Sequence, residues 1–286
     1  MQKENLIQII TNLKVAKRFD VRAPNKPLLL LYALGQFIKG HKLIPYESTH
    51  PKLRELLLEY GPPVKNDVTT EDPFVRLKND GLWRVTPDID HRKISRKLLR
   101  ELDVHGGFTN QVVHLFETNP SIIQEVAGAI LERNFPETYH DELLAKVGLD
   151  IGVRTYRKRD SVFRRKVLEA YEERCAVCGF QAKVNDSVVG VEAAHIKWHQ
   201  AYGPDTEENG LALCSLHHKL FDKGIFTVRP DRKIEISQLA TGSGMFKEMV
   251  IDFHQKNIRT PSSHLYLPSR EFTDWHVKEV YKEYYE

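Results

Sequence analysis

Cysteine is scarce in this chain, which has only three among its 286 residues. So few cysteines, in an odd number, argue against a disulfide framework and fit thiols that are kept reduced in the cytoplasm. No segment approaches the roughly 18 consecutive apolar residues of a membrane-spanning helix, and the N-terminus lacks the apolar core of a signal peptide. The sequence therefore predicts a cytoplasmic protein without a membrane partner, long enough for two globular domains.

The chain also lacks a large net charge, because its 42 Lys and Arg residues nearly balance its 39 Asp and Glu residues. Basic residues are nevertheless concentrated in two stretches. Residues 154–166 hold seven basic residues and one acidic residue, and residues 76–100 hold eight basic residues and three acidic residues. Such clusters usually contact phosphate, although a solvated helix face gives the same pattern. The first cluster predicts DNA-binding side chains at Arg154, Arg157, Lys158 and Arg159.

All three cysteines lie in two short pairs that have the spacing of zinc ligands. Two residues separate Cys175 from Cys178, and two residues separate Cys214 from His217. Structural zinc takes four such ligands in a tetrahedron, so we predict that Zn²⁺ joins the two pairs. His218 is the other candidate for the fourth ligand; His217 is favoured because its spacing repeats that of the first pair. The alternative is three buried free thiols.

The apolar, alternating run at residues 188–194 predicts a strand that ends at His195. Residues 218–222 have the pattern of a short helix, which would place Asp222 on the same face as His218. Residues 73–85 contain a short helix or extended segment that turns through Asp80-Gly81 into a strand. Further helices are expected at residues 5–19, 28–39, 50–60, 120–135, 161–174 and 274–285.

In their order and spacing, the two Cys/His pairs with His195, Asn209 and His218 resemble the HNH endonuclease family, also called ββα-metal nucleases, over residues 175–222. The resemblance implies that His195 is the general base that activates a water molecule. It implies that Asn209 holds the loop between strand and helix, and orients the base or binds metal. It also implies that His218 binds the catalytic divalent ion, which is Mg²⁺, Mn²⁺ or another such ion.

One position departs from the pattern of this family. Many members carry a carboxylate or a histidine immediately before the base, where this chain has Ala194. Glu192 lies three residues before His195, on the opposite face of a regular strand, and Asp222 lies four residues after His218. Both carboxylates are candidates for the second protein ligand of the catalytic ion.

Residues 22–35 contain Arg-Ala-Pro-Asn-Lys-Pro followed by four leucines, and residues 72–83 begin Asp-Pro-Phe-Val-Arg-Leu. The two stretches resemble the sulfur-binding domain of phosphorothioate-dependent restriction endonucleases. The resemblance implies a small apolar pocket, including Pro73, that accepts a sulfur atom in place of one phosphate oxygen. The side chains that it places against phosphates or base edges are those of Arg22, Asn25, Lys26 and Arg76. That family commonly has an aromatic residue before the proline and a small residue three positions after it, whereas this chain has Asp72 and Arg76.

Together these patterns predict an α+β chain with a mainly helical DNA-recognition domain at residues 1–150. A zinc-stapled HNH nuclease domain, with a basic linker helix and a C-terminal extension, is expected at residues 151–286. The expected function is that of a modification-dependent, type IV-like restriction endonuclease acting on modified double-stranded DNA, with a homodimer left open. One alternative is an HNH nuclease that recognises another mark or sequence, such as a methylated base. The other is a zinc-stabilised DNA-binding protein with an inactive nuclease fold, which Ala194 would suit.

Overall fold

The structure, a computed structural model, describes residues 1–15, 17–18, 21–64, 67–90, 92, 94–149 and 161–283, with the backbone alone at residues 17, 18, 21, 22 and 161. The chain divides into two compact units, Met1–Tyr156 and Arg157–Glu286. The predicted boundary after residue 150 and the predicted DNA-binding residues Arg154, Arg157, Lys158 and Arg159 lie outside the described residues. None of the helices in the described ranges is long and apolar enough to cross a membrane.

The first unit is mainly helical. Its helices are α1 (Lys3–Thr11), α2 (Asn25–Ile38), α3 (Tyr46–Tyr60), α4 (Glu71–Arg76), α5 (Arg96–Glu101), α6 (Asn110–Thr118), α7 (Ser121–Asn134) and α8 (His140–Val147). Its strands are β1 (Lys17–Arg18), β2 (Val21–Arg22), β3 (Ile44–Pro45), β4 (Trp83–Thr86) and β5 (His105–Phe108). The strands form an antiparallel β1–β2 hairpin and an antiparallel sheet in the order β3-β5-β4.

Helix α2 forms the centre of the first unit because it is apolar on every side. Pro27 lies in its first turn, where a proline is well tolerated, and the leucines at residues 28–31 are fully buried. Gly35 faces α8 so closely that a Cβ atom there would lie 1.8 Å from the carbonyl oxygen of Val147. The predicted turn between the short helix and β4 is also present, with Gly81 in the left-handed region at φ 76°.

The second unit contains the ββα element that the resemblance predicts. Its helices are α9 (Ser161–Ala170), α10 (Ser215–Asp222), α11 (Phe246–Met249) and α12 (Arg270–Glu279). Its strands are β6 (Lys183–Val184), β7 (Ser187–Val188), β8 (Val191–His195), β9 (Gly210–Cys214), β10 (Phe226–Val228) and β11 (Ile234–Ile236). Strands β8 and β9 pair antiparallel, α10 follows β9 directly, and α9 packs against both strands. The α+β fold class is confirmed.

Several helices differ in extent from the prediction. Helix α1 ends at Thr11, well before residue 19, because the β1–β2 hairpin follows. Helix α9 ends at Ala170, since Glu172 and Glu173 adopt left-handed backbone angles as the chain turns toward Cys175. The last helix spans Arg270–Glu279 and not residues 274–285. His218 is the fourth residue of α10 and does not open it.

Candidate active site and metal centre

The two Cys/His pairs form a compact cluster in the second unit. The ligand atoms of Cys175, Cys178, Cys214 and His217 all lie within 4.8 Å of one another. Nδ1 of His217 is 3.1 Å from the Sγ atom of Cys214 and 3.6 Å from that of Cys175, and the Sγ atoms of Cys178 and Cys214 are 4.0 Å apart. A tetrahedral zinc ion with bonds of about 2.0–2.3 Å places its ligand atoms roughly 3.5–3.8 Å apart. The cluster therefore has the donors and the spacing of a structural metal site.

The surroundings of the cluster suit a metal as well. Nε2 of His217 donates a hydrogen bond to the carbonyl oxygen of Met249 at 2.9 Å, which turns Nδ1 toward the sulfur atoms. A ligating histidine usually has such a partner for its other ring nitrogen. Hydrogen bonds from Cys178 and Cys214 lower the pKa of the Cys175 thiol far below its ordinary value. The cluster thus stabilises a thiolate, which is the form that binds metal.

Strands β8 and β9 and helix α10 carry the predicted catalytic residues. His195 ends β8 opposite Gly210, the first residue of β9, and Glu192 lies opposite Leu213. His218 lies one turn into α10, which begins immediately after β9. The hairpin and the helix thereby bring residues from two separate parts of the sequence onto one supersecondary element.

Three predicted cation ligands lie together on this element. Nδ1 of His218 is 2.7 Å from Oε2 of Glu192, and its Nε2 is 3.5 Å from Oδ2 of Asp222. The Ser215 hydroxyl donates to Oε1 of Glu192 at 3.1 Å, and the Trp198 indole N–H donates to Oδ1 of Asp222 at 3.2 Å. Two carboxylates and one imidazole form a donor set that fits a divalent cation. Both candidates for the second protein ligand are therefore adjacent to His218.

The ring of His195 is contacted on two sides. Its Nε2 lies 2.7 Å from Oδ1 of Asp205. Its plane stacks on the ring of Phe163, a residue of α9, with centroids 4.1 Å apart and an interplanar angle of 18°. The His195 side chain is 23% exposed, so the ring combines a fixed orientation with access to solvent.

Asn209 is fully buried, and its amide group acts as a clamp on the backbone. Its Oδ1 accepts a hydrogen bond from the Lys197 N–H at 2.8 Å. Its Nδ2 donates to the carbonyl oxygens of Lys197 at 3.0 Å and Pro204 at 2.9 Å. The backbone N–H fixes which end of the amide carries oxygen. Asn209 therefore holds the loop between β8 and β9, whereas the resemblance implied a loop between a strand and a helix.

Three residues of this site were not singled out from the sequence: Asp205, Phe163 and Trp198. Asp205 lies in the acidic loop before Asn209, but an acidic loop residue by itself gives no indication of what it contacts. Phe163 lies within the basic cluster of residues 154–166, where the charges dominate the pattern. Only the packing of α9 on β8 brings its ring to His195.

The segment after residue 225, whose role the sequence leaves open, belongs to the core of the second unit. Its buried side chains join the same hydrophobic cluster as β8 and β9. His276 of α12 stacks on the ring of Phe221 with centroids 3.7 Å apart, and its Nε2 donates to the Phe221 carbonyl oxygen at 3.2 Å. Burial lowers the pKa of His276 to about 3, so it is neutral. The segment supports α10 and, through the Met249 carbonyl, also orients His217.

In the first unit, most of the predicted DNA-contacting residues have protein partners. The Lys26 ammonium lies 2.5 Å from Oδ2 of Asp80, and both side chains are largely buried. Arg76 is exposed, and its Nε lies 2.9 Å from Oδ1 of Asp72 on the same face of α4. Pro73 is buried in that helix, between those two positions.

Asn25 begins α2, and its Nδ2 donates to the Thr69 carbonyl oxygen at 3.3 Å. The backbone of Arg22 ends β2, while its side chain lies outside what the structure describes. These positions surround α2 and α4, which contact each other. The two sequence stretches of the predicted recognition domain are therefore adjacent in the fold.

Two family models match the chain. The ScoMcrA-like DNA sulfur-binding domain matches residues 3–151, which is just over half of the chain, and the HNH endonuclease model matches residues 175–229. No curated protein matches.

Several solved structures are similar to parts of this chain. The sulfur-binding domain of ScoMcrA complexed with phosphorothioated DNA is 24% identical, with a TM-score of 0.46 over 52% of this chain and 98% of that one. The type IV phosphorothioation-dependent restriction endonuclease ScoMcrA is 22% identical, with a TM-score of 0.41 over 50% of this chain and 32% of that one. The modification-dependent TagI restriction endonuclease is 22% identical, with a TM-score of 0.32 over 46% of this chain and 41% of that one.

Proposed function

Since this chain belongs to the ScoMcrA-like DNA sulfur-binding domain family and also carries an HNH endonuclease domain, we propose that it is a modification-dependent restriction endonuclease. Its first unit binds phosphorothioated double-stranded DNA, and its second unit hydrolyses phosphodiester bonds. The observation that carries this proposal is the cluster of Glu192, His218 and Asp222 on the ββα element that also ends in His195. Phosphodiester hydrolysis needs a divalent cation and a general base, and this ββα element carries candidates for both.

In the proposed reaction, His195 accepts a proton from a water molecule, whose oxygen then forms a bond to phosphorus. The bond from phosphorus to the 3′-oxygen breaks, and the leaving oxygen takes a proton from solvent, which gives a 3′-hydroxyl and a 5′-phosphate. Glu192, His218 and Asp222 would hold Mg²⁺ or Mn²⁺, which when bound supplies positive charge beside the leaving oxygen. Asn209 holds the backbone that follows His195, and Trp198 orients the Asp222 carboxylate.

The cluster of Cys175, Cys178, Cys214 and His217 is assigned a different role. Its ligands are mostly buried thiols, and soft ligands of this kind select zinc over hard cations. Zn²⁺ bound there would join the chain before β8 to the start of α10. We assign it a structural role, because closed four-ligand sites leave no open position for substrate.

Recognition of sulfur is assigned to the surface around Pro73. An apolar wall tolerates the larger, less hydrated sulfur atom better than a phosphate oxygen, which would lose hydration there. Arg22, Asn25 and Arg76 would contribute contacts to phosphates or bases. The basic residues Arg154, Arg157, Lys158 and Arg159 would add contacts to the DNA backbone that are independent of sequence.

The Asp72–Arg76 ion pair favours a second candidate, a nuclease of the same type that recognises another DNA mark. An aspartate beside a phosphate site opposes anion binding unless the arginine neutralises it. The pair also places two charged side chains on either side of Pro73, which is itself buried, where sulfur recognition calls for apolar contact. An inactive nuclease fold is less favoured, because two carboxylates stand next to His218 even though Ala194 replaces the ligand common in the family.

The decisive experiment compares cleavage of three duplexes that have one sequence and carry phosphorothioate linkages, methylated bases or no modification. The purified full chain is incubated with each duplex and Mg²⁺ or Mn²⁺, with His195→Ala as the control. We expect preferential cleavage of the phosphorothioated duplex, reduced about 10²–10⁴-fold in the control, whose DNA binding is retained. Preference for the methylated duplex would establish the second candidate. Binding to DNA without cleavage of any duplex would establish an inactive nuclease fold.

A variant of the proposed recognition surface gives a further check. Pro73→Ala should reduce the preference for phosphorothioated DNA more than it reduces affinity for unmodified DNA, because only the apolar contact is lost. Arg76→Ala should weaken binding to both duplexes, because a phosphate contact is independent of sulfur. Equal losses in the two variants would argue against a sulfur contact at Pro73.

A further inference from the structure

We propose that Asp205 is a positioning residue for His195, which holds the base in one tautomer and raises its affinity for the proton. The proposal rests on the proposed function, since it assigns a partner to the base of that reaction. An ionised carboxylate only accepts hydrogen bonds, so the 2.7 Å contact requires Nε2 of His195 to carry a hydrogen. Proton abstraction from water is then assigned to Nδ1.

The loop that carries Asp205 is fixed on both sides of this residue. Before it, Nδ2 of Asn209 donates to the Pro204 carbonyl oxygen at 2.9 Å, and after it the Asn209 N–H donates to the Thr206 carbonyl oxygen at 3.0 Å. Gly203 starts the loop where a Cβ atom would lie 1.8 Å from the carbonyl oxygen of Lys197. The carboxylate is therefore presented by a constrained backbone, unlike an exposed ion pair between two flexible side chains.

The His195 ring is equally constrained. It stacks on Phe163, which is 5% exposed and is held in the core by α9. A stacked ring can still rotate in its own plane, and the hydrogen bond to Asp205 stops that rotation. The two contacts together fix the direction of Nδ1, which neither contact fixes alone.

The carboxylate also affects the proton affinity of the ring. A negative charge within hydrogen-bonding distance favours the imidazolium, so we expect it to strengthen the pull of the base on the proton of water. Removing the charge should weaken that pull. Since the base acts in its neutral form, the acid limb of the pH–rate profile then moves to lower pH.

Other ionisable groups are close enough to need their own control. His199 lies with its ring centroid 6.3 Å from that of His195. On α9, Lys166 pairs with Glu207 at 2.9 Å, and the Arg164 guanidinium donates to the Val191 carbonyl oxygen at 3.4 Å. Of these groups His199 ordinarily titrates in the same pH range as the base, so His199→Gln is the matched variant.

The test measures single-turnover cleavage by the full chain with Mn²⁺ between about pH 5 and 8. Asp205→Asn keeps the shape and a hydrogen-bond acceptor but removes the charge. We expect its acid limb to move down by about one pH unit, and its plateau rate to fall about 10–100-fold. Asp205→Glu should recover the wild-type limb, and Glu208→Gln, which removes a carboxylate from the same loop, should leave it in place.

NMR titration of the histidine rings in the full chain, with His195 assigned through His195→Gln, gives a measurement that does not depend on cleavage. The pKa of His195 should fall in Asp205→Asn. If the pKa of His195 or the acid limb is unchanged in a folded Asp205→Asn variant, the proposal is overturned. An equal shift of the acid limb in His199→Gln would overturn it as well. Failure of the wild-type chain to cut any DNA would instead count against the proposed function, while the NMR result still decides the proposal.

Discussion

Asn209→Asp distinguishes a buried clamp from a metal ligand at this position. The substitution keeps the shape of the side chain and the oxygen that accepts from the Lys197 N–H. It replaces Nδ2, which donates two hydrogen bonds, by an oxygen that faces the carbonyl oxygens of Lys197 and Pro204. A metal ligand would gain affinity for a cation from the added charge, whereas a clamp loses both hydrogen bonds.

The cost follows from those two contacts. Loss of a hydrogen bond that leaves a buried acceptor unsatisfied costs about 1–3 kcal/mol. The contact with the Lys197 carbonyl is buried, so its loss should lower the free energy of unfolding by about 2–3 kcal/mol. The contact with the Pro204 carbonyl is partly exposed, so its loss should cost about 1 kcal/mol, which gives roughly 3–4 kcal/mol in total at pH 7. That is a large part of the roughly 5–15 kcal/mol that stabilises a typical domain.

The pH dependence of this variant has a definite sign. Burial beside two carbonyl oxygens should raise the folded-state pKa of the introduced carboxyl group above its unfolded value of about 3.9. The folded state then binds more protons, so stability relative to the wild type falls as pH rises from about 4 through the folded-state pKa, and recovers in acid. Urea unfolding at several pH values measures this, with Glu208→Asp as the control in the same loop. A variant as stable as the wild type at pH 7, or one with tighter Mn²⁺ binding by calorimetry, would refute the assignment as a clamp.

Two further predictions concern the metal sites. Cys178→Ser should contain less zinc by elemental analysis and melt at a lower temperature, because structural zinc contributes folding free energy. A chelator should lower the melting temperature of the wild type but not that of this variant. A wild-type protein that contains no zinc would contradict the assignment. His218→Ala should weaken Mn²⁺ binding by at least about 10-fold and abolish cleavage without affecting DNA affinity. As a control, substitution of an exposed histidine, His264→Ala, should change neither Mn²⁺ binding nor cleavage. Unaltered Mn²⁺ binding in His218→Ala would place the cation elsewhere.

The sequence by itself predicted the metal-ligand cluster of the second unit and the presence of the first. Cys175, Cys178 and Cys214 could be paired with a histidine from spacing alone, because a zinc ion accepts only a few ligand separations. The strand ending at His195 followed from the alternation of apolar residues, which depends only on local geometry. The central helix α2 was evident from its unbroken run of leucines.

Only the tertiary structure decided which side chains meet. The choice between His217 and His218 depends on where α10 begins, since that sets which histidine faces the thiols and which faces Glu192. The partners of His195 come from α9 and from a loop ten residues later, and no local pattern encodes contacts between separate elements. The sequence also placed the ends of α1 and α9 too late; the helices end at Thr11 and Ala170. Periodicity predicts where a helix can form. Where the helix stops depends on the turn that the next strand or ligand pair requires.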